Sequence, residues 1–197
     1  MKTKNTLFSL RVMSEKIIAL TSQSKSKKQS RFLVFTGYLA LSWLFALCSQ
    51  IAIPLPFNLV PVSLQPMPLL LAALLLGRHG VYAYGLYLAQ GALGLPFFAG
   101  MQGGFVRLVG PTGGYLLGFG LAMIFLACVR LYKQNSVLLT FAKLLLASVI
   151  YFSMGLAQLA WFVPAHKILA CGLLPFIIGD SLKIVFVTII VKKISNK

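Results

Sequence analysis

The chain alternates long apolar runs with short polar or glycine- and proline-rich breaks from residue 32 to residue 191. A helix needs roughly 20 apolar residues to cross a bilayer. Six runs compete for that role: 32–52, 62–76, 81–93, 112–131, 137–163 and a last one ending at Val191. The second and third are short for spans. They are expected to be extended by flanking loops or packed in the centre of a bundle. The break at 53–61 is proline-rich, and the one at 94–111 is rich in glycine with two prolines. Residues 77–80 and 132–136 form tight polar turns by the same reading.

Composition agrees with this pattern. The chain is 59% hydrophobic and 10% charged, and its mean hydropathy is +0.90. A soluble domain is about 25% charged, so there is too little polar surface here to cover a water-soluble globule. The pattern predicts an all-α membrane protein of six transmembrane helices. Residues 32–194 form the membrane domain, and 1–31 form a basic tail expected to be disordered and cytoplasmic. Met13 is an alternative start within that tail.

The net charge of +16 points first to nucleic acid, but long uncharged apolar runs do not accompany such binding. Topology explains it instead. With both termini cytoplasmic, 14 of the 18 Lys and Arg residues fall inside, two (Arg107 and Lys167) outside, and two (Lys143 and Lys183) within spans. That is the asymmetry expected of a multi-pass chain. A lipid bilayer is therefore the partner the charge implies, and no nucleic acid is needed.

The outer loops on this topology carry the glycines and prolines. Irregular backbone near a membrane must be buried in protein or line a cavity, so the outer face is the expected ligand side. Leu88, Ala89, Gln90 and Pro96 are echoed at identical spacing by Leu156, Ala157, Gln158 and Pro164. Four matches in apolar sequence are also within reach of chance.

Asp180 and Glu15 are the only acids in 197 residues, and Asp180 lies in an apolar run. Pro175 should open that last helix rather than interrupt it, so the helix is expected to start near Phe176. Asp180 and Lys183 then share one face near its outer end. A charge at mid-membrane costs about 2.5–3.5 kcal/mol on insertion scales and marks function by default; the alternative is an ion pair that merely joins helices. Arg107 offers a guanidinium fork suited to a carboxylate. Gln65, Gln90 and Tyr87 are polar groups in apolar spans, able to bind ligand or a neighbouring helix. Tyr115 reads as an interfacial aromatic. Ser42 and Ala46 form a small-xxx-small pair that allows close helix approach.

Cys48, Cys128 and Cys171 have no metal spacing and read as small buried hydrophobes. His79 and His166 fall in separate loops on opposite sides, so no metal site is expected. The chain has no P-loop, HExxH or GxSxG motif. One membrane carboxylate cannot form a catalytic pair. The chain is therefore not read as an enzyme, and no cofactor is expected.

Several of these residues sit in motifs that resemble the BioY family of biotin transporters. They are Val60 to Gln65, Leu75 to Gly77, Tyr87 with Gly91 to Gly100, the run GPTGGYLLGF from Gly110 to Phe119, and Leu174 to Lys183. The resemblance covers about residues 34–191. It implies the substrate-binding (S) component of an energy-coupling-factor (ECF) transporter, a six-helix bundle that binds biotin near the outer membrane face. Such a component works with a coupling transmembrane subunit and two ATPases, so ATP would be used only by partners. Asp180 and Lys183 match the family's GDxxK pair, which the resemblance places on biotin. Gln102 stands in a loop where some members present an asparagine. Ser42 and Ala46 approximate the family's AxxxA-like coupling face. Biotin's ureido group could be met by Asp180, its carbonyl or carboxylate by Lys183, Gln65 or Arg107, and its rings by Tyr87, Phe97 or Phe98. An S component for another vitamin, or a structural membrane protein, remains the alternative.

Overall fold

The computed structural model describes residues 27–54, 59–130 and 136–195. Its long helices are α1 (Lys27–Gln50), α2 (Pro66–Leu76), α3 (Arg78–Ala92), α5 (Gly113–Val129), α6 (Val137–Leu159) and α8 (Leu174–Ser195). Two short helices, α4 (Val106–Val109) and α7 (Ile168–Gly172), lie in the loops, with a 3-10 turn at Ala165–Lys167. Three stretches are long and apolar enough to cross a membrane by themselves: Arg31–Gln50, Val137–Leu159 and Ala165–Ile194. The large apolar side chains on their outward faces, such as Leu47, Leu138, Ile178 and Leu182, are exposed. This is a multi-pass membrane protein whose outer surface is apolar.

The all-α expectation needs one correction. Ala52–Ile53 (β1) and Val62–Ser63 (β2) pair antiparallel, Ala52 opposite Ser63 and Ile53 opposite Val62. Pro54 forces Ile53 out of helical conformation, so α1 cannot continue as far as 52. The second run is likewise shorter than expected. Its helix starts at Pro66, where a proline costs no hydrogen bond. At the other end of α1, the helix begins at Lys27, inside the predicted tail. Lys, Gln and Arg are good helix formers, and no Gly or Pro interrupts them. Residues 1–26 of the tail, most of the 132–136 turn and part of the 53–61 break lie outside the described residues.

The expected loop at 77–80 shrinks to Gly77 alone, which takes φ +58° between α2 and α3. His79 therefore stands in the first turn of α3, and Tyr38 and His79 Nδ1 share a hydrogen bond of 2.7 Å. The cysteines are not buried: Cys128 is exposed, and Cys48 and Cys171 are half-buried. No metal-ligating cluster occurs among the described residues.

At about 1.5 Å per residue, the 11 residues of α2 fall well short of a membrane's thickness. It packs against α3, α5 and α8, and Leu69, Leu70, Ala73 and Leu74 are almost fully enclosed. A helix apolar on every side belongs in such a place. The GPTGGYLLGF run owes its glycines to packing. Gly114 and Gly118, one turn apart, let α5 touch the backbone of α6. A Cβ on Gly118 would lie 2.7 Å from Tyr151 Cα. Close approach of this kind supplies the dispersion contacts that hold membrane helices together. Lys143, counted as embedded, donates from Nζ to the Val129 carbonyl at 2.9 Å, where α5 ends and its carbonyls lack helical partners.

Candidate functional site

One end of the bundle gathers the C-termini of α1, α3 and α6 and the N-termini of α2, α5 and α8. The other end holds Arg78, Arg130, Lys192 and Lys193. A cavity of about 300 Å³ opens within the first end.

Its polar floor is built around α8. Pro175 is the second residue of this helix, in the first turn as expected, although the helix begins two residues before Phe176. Asp180 and Lys183 follow one turn apart. Lys183 Nζ donates to Asp180 Oδ1 at 2.6 Å. The same ammonium donates to the Ser63 carbonyl at 2.7 Å, tying β2 to α8. From α6, the Tyr151 hydroxyl donates to Asp180 Oδ2 at 2.7 Å. Asp180 is 5% exposed, so these partners are what make its charge tolerable there. An ionised carboxylate has about four acceptor positions, and the described contacts use two. The pair therefore keeps capacity for N–H donors from the cavity.

Six of the substrate residues expected from sequence line this cavity: Asp180, Lys183, Gln65, Arg107, Gln102 and Phe98. Gln65 sits at the N-terminus of α2, and its amide donates to the Tyr87 hydroxyl at 3.1 Å. Tyr87 does not reach the cavity. It is fully buried behind Gln65, donates to the Phe97 carbonyl at 3.3 Å and lies edge-on to Phe98 at 5.7 Å. It braces the lining residues Gln65 and Phe98 from behind. Phe97 is also behind the wall, stacked on Tyr87. Arg107 is on α4, and among the described residues the one carboxylate, Asp180, is bonded to Lys183.

The Ser42/Ala46 pair does not form an outward coupling face. Both residues are buried, and Ser42 Oγ accepts from Gln90 Nε2 of α3 at 3.0 Å. The close approach that these small residues allow is to a helix of the same chain. Gln90 is thereby an interhelical tie and not a cavity residue.

Sequence reasoning missed an aromatic wall. Phe119, Tyr151, Phe152 and Phe176 line the cavity together with Tyr115. Tyr151 contacts Phe119 and Phe152 at 4.8 Å each, and Tyr115 stacks on Phe176 at 6.1 Å. Tyr115 is buried rather than interfacial, and its hydroxyl donates to the Gly172 carbonyl at 2.8 Å. A small apolar-walled cavity with a few convergent polar groups is the usual form of a small-molecule site. The one sequence signal for Tyr151 was a phenol in a largely apolar helix.

The BioY family model matches residues 22–197. The chain belongs to the BioY family. It is 35% identical over 138 residues to a probable biotin transporter BioY of Pyrococcus horikoshii, covering 70% of this chain and 82% of that protein. It is 34% identical over 150 residues to the biotin transporter BioY of Thermotoga maritima, covering 73% and 86%. Among solved structures, it is similar to the S-component for biotin from an ECF-type ABC transporter, with a TM-score of 0.73 at 24% identity. That match spans 88% of this chain and 96% of the other, and at this identity it speaks to the shared fold. In this chain Asp180 and Lys183 form the charged floor of the cavity.

Proposed function

We propose that this BioY-family chain is the biotin-binding S component of an ECF transporter. It acts in uptake and is not an enzyme. In this reading six helices cross the cell membrane, both termini are cytoplasmic, and the cavity faces outward. The basic residues at the opposite end of the bundle support that orientation. A coupling transmembrane subunit and two ATPases drive release inward, and the chain carries no cofactor of its own.

The Asp180–Lys183 pair, held by Tyr151 and Ser63 in the wall of a 300 Å³ cavity, is the observation that carries this reading. Biotin presents two ureido N–H donors, a ureido carbonyl, an apolar thiophane ring and a carboxylate tail. Asp180 accepts the ureido N–H groups and Lys183 donates to the carbonyl beside them. The aromatic wall and Phe98 pack the ring. The tail carboxylate is repelled by Asp180 and matched by Arg107, whose fork has no protein carboxylate among the described residues. Gln65 and Gln102 supply neutral hydrogen bonds.

Uptake of labelled biotin by cells that cannot make it tests this. Expression of the chain with an ECF module should restore uptake, and Asp180→Asn should weaken binding by about 1–3 kcal/mol. No uptake with or without the module would contradict the proposal.

A further inference from the structure

Helices form part of the cavity wall, and two non-helical segments supply most of the rest: the 52–65 stretch that contains the β1–β2 ribbon, and a turn at 98–102 that folds back on itself. Phe98 N–H donates to the Gln102 carbonyl at 2.8 Å, and Gln102 N–H donates back at 3.2 Å. The chain reverses between them through Gly100 at φ +76° and Met101 at φ +57°. Met101 is the one non-glycine residue with positive φ among the described residues. Such a backbone persists where its surroundings over-determine it.

Those surroundings centre on Gln50, the last residue of α1. Its Oε1 accepts the Met101 N–H at 2.8 Å. Its Nε2 lies 3.2 Å from each of the carbonyl oxygens of Pro96, Phe97 and Phe98. It also lies 3.2 Å from the Ala46 carbonyl and 3.1 Å from Ser49 Oγ, and since an amide has two hydrogens, these contacts are shared and long. The neighbouring Ser49 hydroxyl also donates to the Phe97 carbonyl. At the far end of the same loop, Gln158 of α6 donates to the Leu108 and Gly110 carbonyls at 2.9 and 2.7 Å. The loop is thus pinned at both ends, by Gln158 at one and by Ser49 and Gln50 at the turn that supplies Phe98, Ala99, Gly100 and Gln102 to the cavity. Gln50 itself does not line it.

We propose that Gln50 is a positioning residue for ligand retention: it latches the 96–102 turn against α1, and loosening that latch speeds the ligand's escape past this wall of the cavity. This rests on the reading that the cavity holds biotin. A wall made of loop and held by shared side-chain bonds opens at lower cost than a packed helix. Because Gln50 does not touch the ligand, its removal should change how fast biotin leaves and leave its capture nearly intact.

The test compares wild type, Gln50→Leu, Gln50→Glu and Gln90→Leu in detergent. Biotin association and dissociation are timed, and amide exchange at Met101 is followed without ligand. Gln50→Leu should release biotin about tenfold faster, the scale of one lost hydrogen bond, with association within about twofold. Its Met101 amide should exchange about tenfold faster as well. Gln50→Glu keeps the acceptor for Met101 but sets a carboxylate against three carbonyls, so it should release at least as fast. Gln90→Leu removes a different tie of α1 and should behave as wild type in both respects. Unchanged Met101 exchange or unchanged dissociation in Gln50→Leu would overturn the latch, as would equal acceleration in Gln90→Leu. If wild type fails to bind biotin, the functional reading fails, and Met101 exchange still decides the latch.

Discussion

The β1–β2 ribbon and the 98–102 turn both close the cavity, yet they are tied down by different chemistry. The ribbon is held by an ammonium: Lys183 donates to Ser63 and to Asp180 at once. The turn is held by a neutral amide, Gln50, that never reaches the cavity. On the ribbon side, the residues that fasten the wall are those proposed to meet the ligand. A ligand engaging Asp180 and Lys183 must share them with Ser63 and Tyr151, so recognition and ribbon position are linked. On the turn side the fastening is separate from recognition, so the wall can loosen without altering what is recognised.

The strongest way to break this contrast is to remove one half of the ion pair. Lys183→Ala strands the buried Asp180 carboxylate and frees Ser63, and should cost about 3–5 kcal/mol of stability. Thermal unfolding in detergent reads this directly; a loss no larger than that of an exposed substitution would mean the ammonium fastens nothing. Next in size is Gly118→Val, which forces α5 away from α6 at Tyr151 and should cost about 1–3 kcal/mol by overpacking. Biotin affinity per folded molecule should fall with it, because Tyr151 moves; a destabilised variant with unchanged affinity would separate the α5–α6 seam from the site. The smallest effect belongs to Tyr151→Phe. It removes one hydrogen bond to the buried Asp180 carboxylate and should weaken biotin binding by about 0.5–1.5 kcal/mol in calorimetry, with a loss of stability smaller than that of Lys183→Ala.

The sequence was most legible where chemistry was scarce. Asp180 and Lys183 stood out because charges in an apolar run have no bland reason to be there, and both line the cavity. Gly94 to Pro111 was legible as a cavity loop because its composition excludes a packed helix. The aromatic wall was hidden for the opposite reason: Phe152 and Phe176 look like any lipid-facing aromatic until the neighbouring helices are placed. Ser42 and Ala46 misled in the same way, since small residues announce close packing but not the partner, which is α3. Tyr87 was placed in the right neighbourhood and one layer too deep. Gln50 escaped notice because a polar residue at a helix end is ordinary; its role depends on a loop 46 to 51 residues later. The ribbon required knowing that the residues on either side of a proline-rich break would pair.

The central claim is that the ion pair recognises biotin and does more than join helices. The double variant Asp180→Asn with Lys183→Met removes both charges together and strands neither, so its fold should survive near wild-type stability. Calorimetric titration with biotin is then decisive. Wild type should bind tighter than micromolar, and the folded double variant should show no measurable heat of binding. A folded double variant that binds biotin as wild type does would contradict the account.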